Sequence, residues 1–304
     1  MNVGRWTGVW SRPATPVPHA NVGLLPHRMP ASAPLIDPDT LDWLAPLRWT
    51  RLWGRHALPT PACPGGTDWA GVAWRSALGP ALFEASPMAF EAMYGEGVPD
   101  GAWSLSVRTL PGQPLVGVEL RLFGPLARHR PAVVQALARM RLGTVDSTAD
   151  WQMGGWSDEA AEQLLHTPAD TGTAFALESL SPLALCRPED PGGGAPDTAL
   201  LWRRLLSRLQ QLQPPTKRTL PGGLRAWTDW VDGQVEQCSA WQRVHGRRHS
   251  ARQARQMPLS GWSGHIAWGP EAAALQPWWR LAQAVQLGAK TRFGLGVVRL
   301  RAVA

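Results

Sequence analysis

Residues 103–123 specify a hairpin: WSLSVRTL and LVGVELRLF are two short apolar runs joined by the turn PGQP. The second run alternates strictly. Val116, Val118, Leu120 and Leu122 fall on one face and Gly117, Glu119 and Arg121 on the other, the pattern of a strand covered on one side only. A helical pattern precedes this hairpin, WAGVAWRSAL after Asp68 as N-cap, stopped or kinked at Gly79 and Pro80. Another follows, PAVVQALARMRL, opened by Pro131 and closed by Gly143. With LAPLRWTRLW (44–53) read as a strand, the order is β-α-β-β-α, the beginning of a ferredoxin-like unit.

The order then recurs. TAFALESLSPLALC is strand-like and ends before PGGGAP; LLWRRLLSRLQQLQ is a helix with Leu201, Leu205, Leu209 and Leu212 on a core stripe. LRAWTDWV reads as a strand and is followed by an Arg-rich insertion, about 233–257, read as helical. GWSGHIAWG reads as a strand, Glu271 to about Leu287 as a helix, and the chain closes on a last strand. A chain of 304 residues that is 44% apolar can bury two cores of ordinary size. The expected fold class is therefore α+β, two tandem ferredoxin-like (RRM-like) domains at 44–170 and 171–304, behind a Pro-rich extension, 1–43, that reads as poorly ordered.

The formal charge of +7 points to a polyanionic partner, and its distribution says more. Residues 201–256 carry ten arginines and Lys217 against Asp229, Asp232 and Glu236, an excess of eight; the rest of the chain, 19 basic and 20 acidic residues, is nearly neutral. One segment holds the whole excess, as in a phosphate-binding surface. Only Lys217 and Lys290 are lysines, so guanidinium groups carry the charge, and these grip phosphates bidentately and stack on bases. Cys63, Cys186 and Cys238 are too few and too scattered for a disulfide framework or a CxxC metal site. No apolar run is long enough to span a bilayer, and the reading is a cytoplasmic protein with no membrane partner, no metal site and no cofactor motif. Most of the 18 tryptophans belong in cores, and a few within 227–241 are candidates for base stacking.

Near the C-terminus, LGAKTRFGLGVVRL places Gly288, Gly294 and Gly296 around Lys290 and Arg292. Glycine in such a segment marks either a bulged strand or a close approach of another backbone, and the flanking cations make an anionic one a candidate.

Three stretches together resemble a known family, the CRISPR-associated repeat-cleaving endoribonucleases of the RAMP superfamily. GAKTRFGLGVVRL is similar to that family's glycine-rich loop. RHSARQARQMPLSGWSGHIAWG resembles its RYSxRQ segment followed by LxGxxG, and WAGVAWRSALG its first helix. The resemblance spans roughly residues 44–301. It implies a protein that binds the repeat hairpin of precursor crRNA and cuts it without metal, by attack of a 2′-OH on the adjacent phosphate, alone or beside other CRISPR effector subunits. On this reading Gly288, Lys290, Arg292, Gly294 and Gly296 form an RNA-binding loop. Arg247, Ser250, Arg252 and Gln253 contact RNA with Arg204, Arg208, Lys217 and Arg218 of the basic segment. His249 replaces the family's tyrosine, either stacking on a base or partly buried.

His56, just after the first expected strand and beside Arg55, is the first choice for proton transfer. Arg243 and Arg248 are the alternative, a catalysis by positioning and charge stabilisation. The only tyrosine, Tyr94, falls in a loop-like stretch. A non-catalytic crRNA-binding subunit of an effector complex is the second reading of the same features.

Overall fold

The computed structural model describes residues 36–57, 70–99, 101–109, 115–140, 151–185, 194–234, 236–250 and 255–303. In chain order these form α1 (Pro38–Leu44), β1 (Arg48–Ala57), α2 (Ala70–Ala85), α3 (Pro87–Tyr94), β2 (Trp103–Thr109), β3 (Leu115–Phe123), α4 (Arg130–Arg139), β4 (Trp151–Ala160) and α5 (Ala161–Leu165). They continue through β5 (Phe175–Ser179), α6 (Thr198–Leu212), α7 (Gly223–Val231), β6 (Glu236–Ser250), β7 (Arg255–Trp268), α8 (Gln276–Val285) and β8 (Val298–Ala302).

Two antiparallel sheets result, ordered β2-β3-β1-β4 and β6-β7-β5-β8. Each sets its first strand between its third and fourth, the arrangement of a ferredoxin-like unit, so the tandem α+β fold class is what the structure has. The alternation read in β3 is real: Val116, Val118, Leu120 and Leu122 are buried beneath α2, α3 and α4 with Leu52, Trp74, Leu82, Met93 and Leu137.

The second core is built from tryptophan. Trp202 meets Trp227, Trp230, Trp278 and Trp279 at ring separations of 5.2–6.2 Å. This core also takes in Trp43, Leu44, Leu47, Trp49 and Phe123 from the first half, so the two sheets share one apolar body. Trp227 and Trp230, candidates for base stacking by sequence, are buried here.

Several local readings change. The end of the Pro-rich extension is helical: Asp37 caps α1 through Thr40, and Trp43 donates from Nε1 to the Lys217 carbonyl at 2.7 Å. α2 runs through Gly79 and Pro80 unbroken, at the expense of one helical hydrogen bond to Ser76. Tyr94 ends a helix, α3, rather than lying in a loop. LRAWTDWV is α7, because Trp227, Trp230 and Val231 fall at helical spacing on one buried stripe. The Arg-rich insertion is a hairpin, not helical: β6 pairs with β7 from Ser239↔Ile266 to Ser250↔Arg255. No helix among the described residues is long and apolar enough to cross a membrane.

Candidate nucleic-acid interface

The basic hairpin, the glycine-rich turn and the amino end of α2 converge. Val72 of α2, Val244 and Leu259 of the hairpin, and Phe293 and Leu295 of the turn pack in one small apolar cluster with Ala184. The turn folds back on the protein: Leu287 donates to the Gly296 carbonyl at 2.8 Å, Ala289 to Ala184 at 2.9 Å, Gly294 to Thr291 at 3.1 Å and Gly296 to Pro182 at 3.0 Å.

Each glycine has a protein reason. Gly288, Gly294 and Gly296 have φ of 82°, 80° and 83°, in the left-handed region. A Cβ at Gly294 would lie 2.9 Å from the Cα of Gly71, and one at Gly288 would lie 2.5 Å from the Ala184 carbonyl oxygen. The backbone in close approach is thus the protein's own. Gly294 and Gly296, expected in an RNA-binding loop, are buried and donate their N–H groups within the protein. Lys290 and Arg292 remain half-exposed on the turn, Arg292 reaching the Met93 carbonyl at 3.4 Å. The turn is further held by Arg75, whose guanidinium lies 4.4 Å from the Phe293 ring centre and 4.9 Å from that of Tyr94. Burial pushes the Tyr94 phenol well above its usual pKa, ahead of the opposing pull of Arg75 and Arg292, and its hydroxyl donates to the Arg75 carbonyl at 3.0 Å.

His56 lies inside β1, not after it. Its ring is buried, 1% exposed, edge-on to Trp74 at 5.0 Å, on the side covered by α2. Arg55 leaves the strand on the opposite face. The two therefore do not share a centre, a correction to their pairing by sequence.

The basic segment is also divided. Arg243 lies on the hairpin over Trp262 at 5.9 Å, and Arg218 is exposed beside Gln210 and Gln211. Arg208 is buried at 2% instead of facing outward: it donates from Nε to the Val285 carbonyl at 2.9 Å and stacks 5.3 Å from Phe123, joining the two sheets. Lys217 pairs with Asp42 at 3.0 Å, and Arg204 is half-buried on α6. Arg247, Arg248, His249 and Ser250 belong to the backbone of β6 with side chains outside the described residues, as are Arg252 and Gln253 entirely.

Residues 177–298 match the family model of the CRISPR-associated endoribonuclease Cas6. That segment is similar to the Cas6 family. No curated protein sequence matches the chain. A solved Thermus thermophilus Cas6 (TTHB231) shares the fold over 84% of this chain and 99% of its own, at 15% identity and a TM-score of 0.55. A Cas6 (TTHA0078) product complex does so over 85% and 99%, at 19% identity and 0.52. A chain of a partial Cas6-RT-Cas1–Cas2 complex matches over 84% of this chain and 46% of its own, at 12% identity and 0.51. At these identities the likeness is one of fold. The Cas6 match begins at Leu177 in β5 and ends at Val298, so it contains both the basic hairpin and the glycine-rich turn.

Sequence reasoning missed a second basic surface, on the first sheet. β1 reads Arg51-Leu52-Trp53-Gly54-Arg55, and its odd positions line an open groove of about 500 Å³ with Arg108, Gly117 and Glu119. Glu119 is clamped between Arg121 and Arg51, the latter at 2.6 Å. Burial disfavours the charge on Arg51, but Glu119 and Glu159 outweigh it and raise its pKa. The alternation of Arg51, Trp53 and Arg55 was the available signal.

Proposed function

We propose that this protein is a CRISPR RNA-processing endoribonuclease that binds the repeat hairpin of precursor crRNA and cuts it without metal. The observation that carries this reading is the Cas6 family match over residues 177–298, with the Arg-bearing hairpin and the docked glycine-rich turn inside it. In the reaction a 2′-OH loses its proton and attacks the adjacent phosphorus, the P–O5′ bond breaks, and the departing 5′-oxygen takes up a proton. The products carry a 2′,3′-cyclic phosphate and a 5′-OH. On this reading Arg243 and Arg248 are the phosphate-gripping guanidinium groups, and Arg247, His249, Ser250, Arg252 and Gln253 are further candidates for RNA contact. Lys290 and Arg292 add charge from the turn, and Arg218 from beyond α6.

His56 is the candidate for proton transfer, and to act it has to be uncovered from behind Trp74. That burial supports a second reading, a crRNA-binding subunit that holds RNA without cutting it. Incubation of the full chain with a cognate repeat RNA in EDTA decides between them: the nuclease reading expects one cut within the repeat, whereas retention of intact RNA in a stable complex supports the binder. Cleavage that needs added divalent cation overturns the metal-independent mechanism.

A further inference from the structure

We propose that the first sheet, at the end where Arg55, Gly117 and Arg108 leave its outer face open, binds a single-stranded nucleic-acid segment, Trp53 stacking on a base while Arg55 and Arg108 hold its phosphates. This goes beyond repeat-hairpin cleavage, because the residues lie on another sheet from the basic hairpin.

The register builds the site row by row. Arg55, Gly117 and Arg108 are aligned across β1, β3 and β2. Two exposed arginines thus flank a residue with no side chain, which leaves an open slot between them. Neither makes an ion pair among the described residues. The next row is Trp53, Glu119 and Ser106, and the one beyond is Arg51, Arg121 and Ser104; Glu119, Ser106, Arg121 and Ser104 are buried, so these rows close the inner end of the groove. Trp53 is half-buried, with Arg51 5.2 Å from its ring centre. The ring is seated because β4 offers glycine: a Cβ at Gly154 would lie 2.6 Å from Trp53 Cδ1, and one at Gly155 would lie 2.8 Å from Cζ2. Glu119 does not repel a polyanion, because Arg51 and Arg121 neutralise it.

Arginines interleaved with an aromatic on the open sheet of an RRM-like unit suit an unpaired strand, whose splayed bases can stack and whose phosphates track the charges. A groove of about 500 Å³ admits one or two nucleotides. The width of an A-form duplex keeps its bases out of such a groove.

The test uses the full chain and a labelled, unstructured single-stranded RNA octamer, read by fluorescence anisotropy. No repeat and no cleavage are involved, so the result is independent of the proposed nuclease activity. Wild type binds, and Arg55→Ala and Arg108→Ala each lower the slope of log affinity against log salt by about 0.7 to 1. Trp53→Ala weakens binding about tenfold or more, and Trp53→Tyr keeps most of it because a stacking ring remains. Melting curves for all four variants identify any that fail to fold. Binding by Arg55→Ala, Arg108→Ala and folded Trp53 variants that equals wild type in affinity and salt slope overturns the proposal. Wild-type indifference to the octamer does so too, as does a glutamate-rich peptide binding at these residues in its place.

Discussion

Gly294 brings the glycine-rich turn against the amino end of α2, with φ of 80° and its Cα face against Gly71. Gly294→Val combines strain in the left-handed region with collision against a helix backbone. It should lower stability by about 2–4 kcal/mol and the melting temperature by several degrees. A variant melting like wild type contradicts the packing described. Lys290, in the same turn, has φ of 62° and a half-exposed side chain. Lys290→Ala should reduce the salt slope of repeat-RNA binding by about one while leaving melting nearly unchanged; an unchanged slope removes this lysine from the RNA surface. His56→Ala tests the deepest residue of the proposed site. A general acid or base there predicts a single-turnover cleavage rate down about 10²-fold or more with RNA affinity kept. A merely structural role against Trp74 predicts a lower melting temperature and an unchanged rate in the folded fraction.

At the scale of elements, α4 begins on a buried histidine whose behaviour can be read by pH. His129 Nε2 accepts from Arg128 Nε at 3.1 Å, and burial, then the Arg128 charge, hold its pKa below the usual 6.5. A depressed folded pKa favours the neutral ring. Its contribution is therefore full above the unfolded value and is lost as pH falls below about 6.5. His129→Gln should flatten the loss of stability between about pH 6.5 and 5; the same slope in both proteins would assign it elsewhere. The elements also show what the sequence could and could not tell. β2, β3 and α6 were legible because the apolar residues of each recur on one face toward a core, with a clean period of 2 or 3.6, while the buried residues on the other face of β2 and β3 are polar or charged, such as Ser104, Ser106, Glu119 and Arg121. α7 was misread because Leu224, Ala226, Thr228 and Trp230 also satisfy an alternating template over eight residues, and only burial of Trp227, Trp230 and Val231 together selects the helix. The basic insertion was misread because β6 is an edge strand whose exposed side chains obey no apolar period; pairing with β7 forms it.

The whole molecule is held by contacts between its halves that no local pattern announces. Arg208 looked like one more cation on a polar face, yet it is buried between Val285 and Phe123; Gln286 reaches from the second half to the Leu105 carbonyl at 3.1 Å. Arg208→Ala should cost about 2–4 kcal/mol, lowering the melting temperature without changing the salt slope of RNA binding, the reverse of an RNA-contacting arginine. The separation of His56 from Arg55 was hidden for a related reason: adjacency in a strand places neighbours on opposite faces, and β1 runs on past Trp53, where its apolar pattern ended, to Ala57. In the proposed reaction the assembled molecule cuts repeat RNA through the substrate's own 2′-OH. A repeat RNA carrying one 2′-deoxy nucleotide immediately 5′ of the scissile phosphate tests it most directly. This substrate should bind like the all-ribose repeat and stay uncut, while the all-ribose repeat yields a 2′,3′-cyclic phosphate in the presence of chelator; cleavage of the deoxy substrate at that phosphate would overturn the proposed reaction.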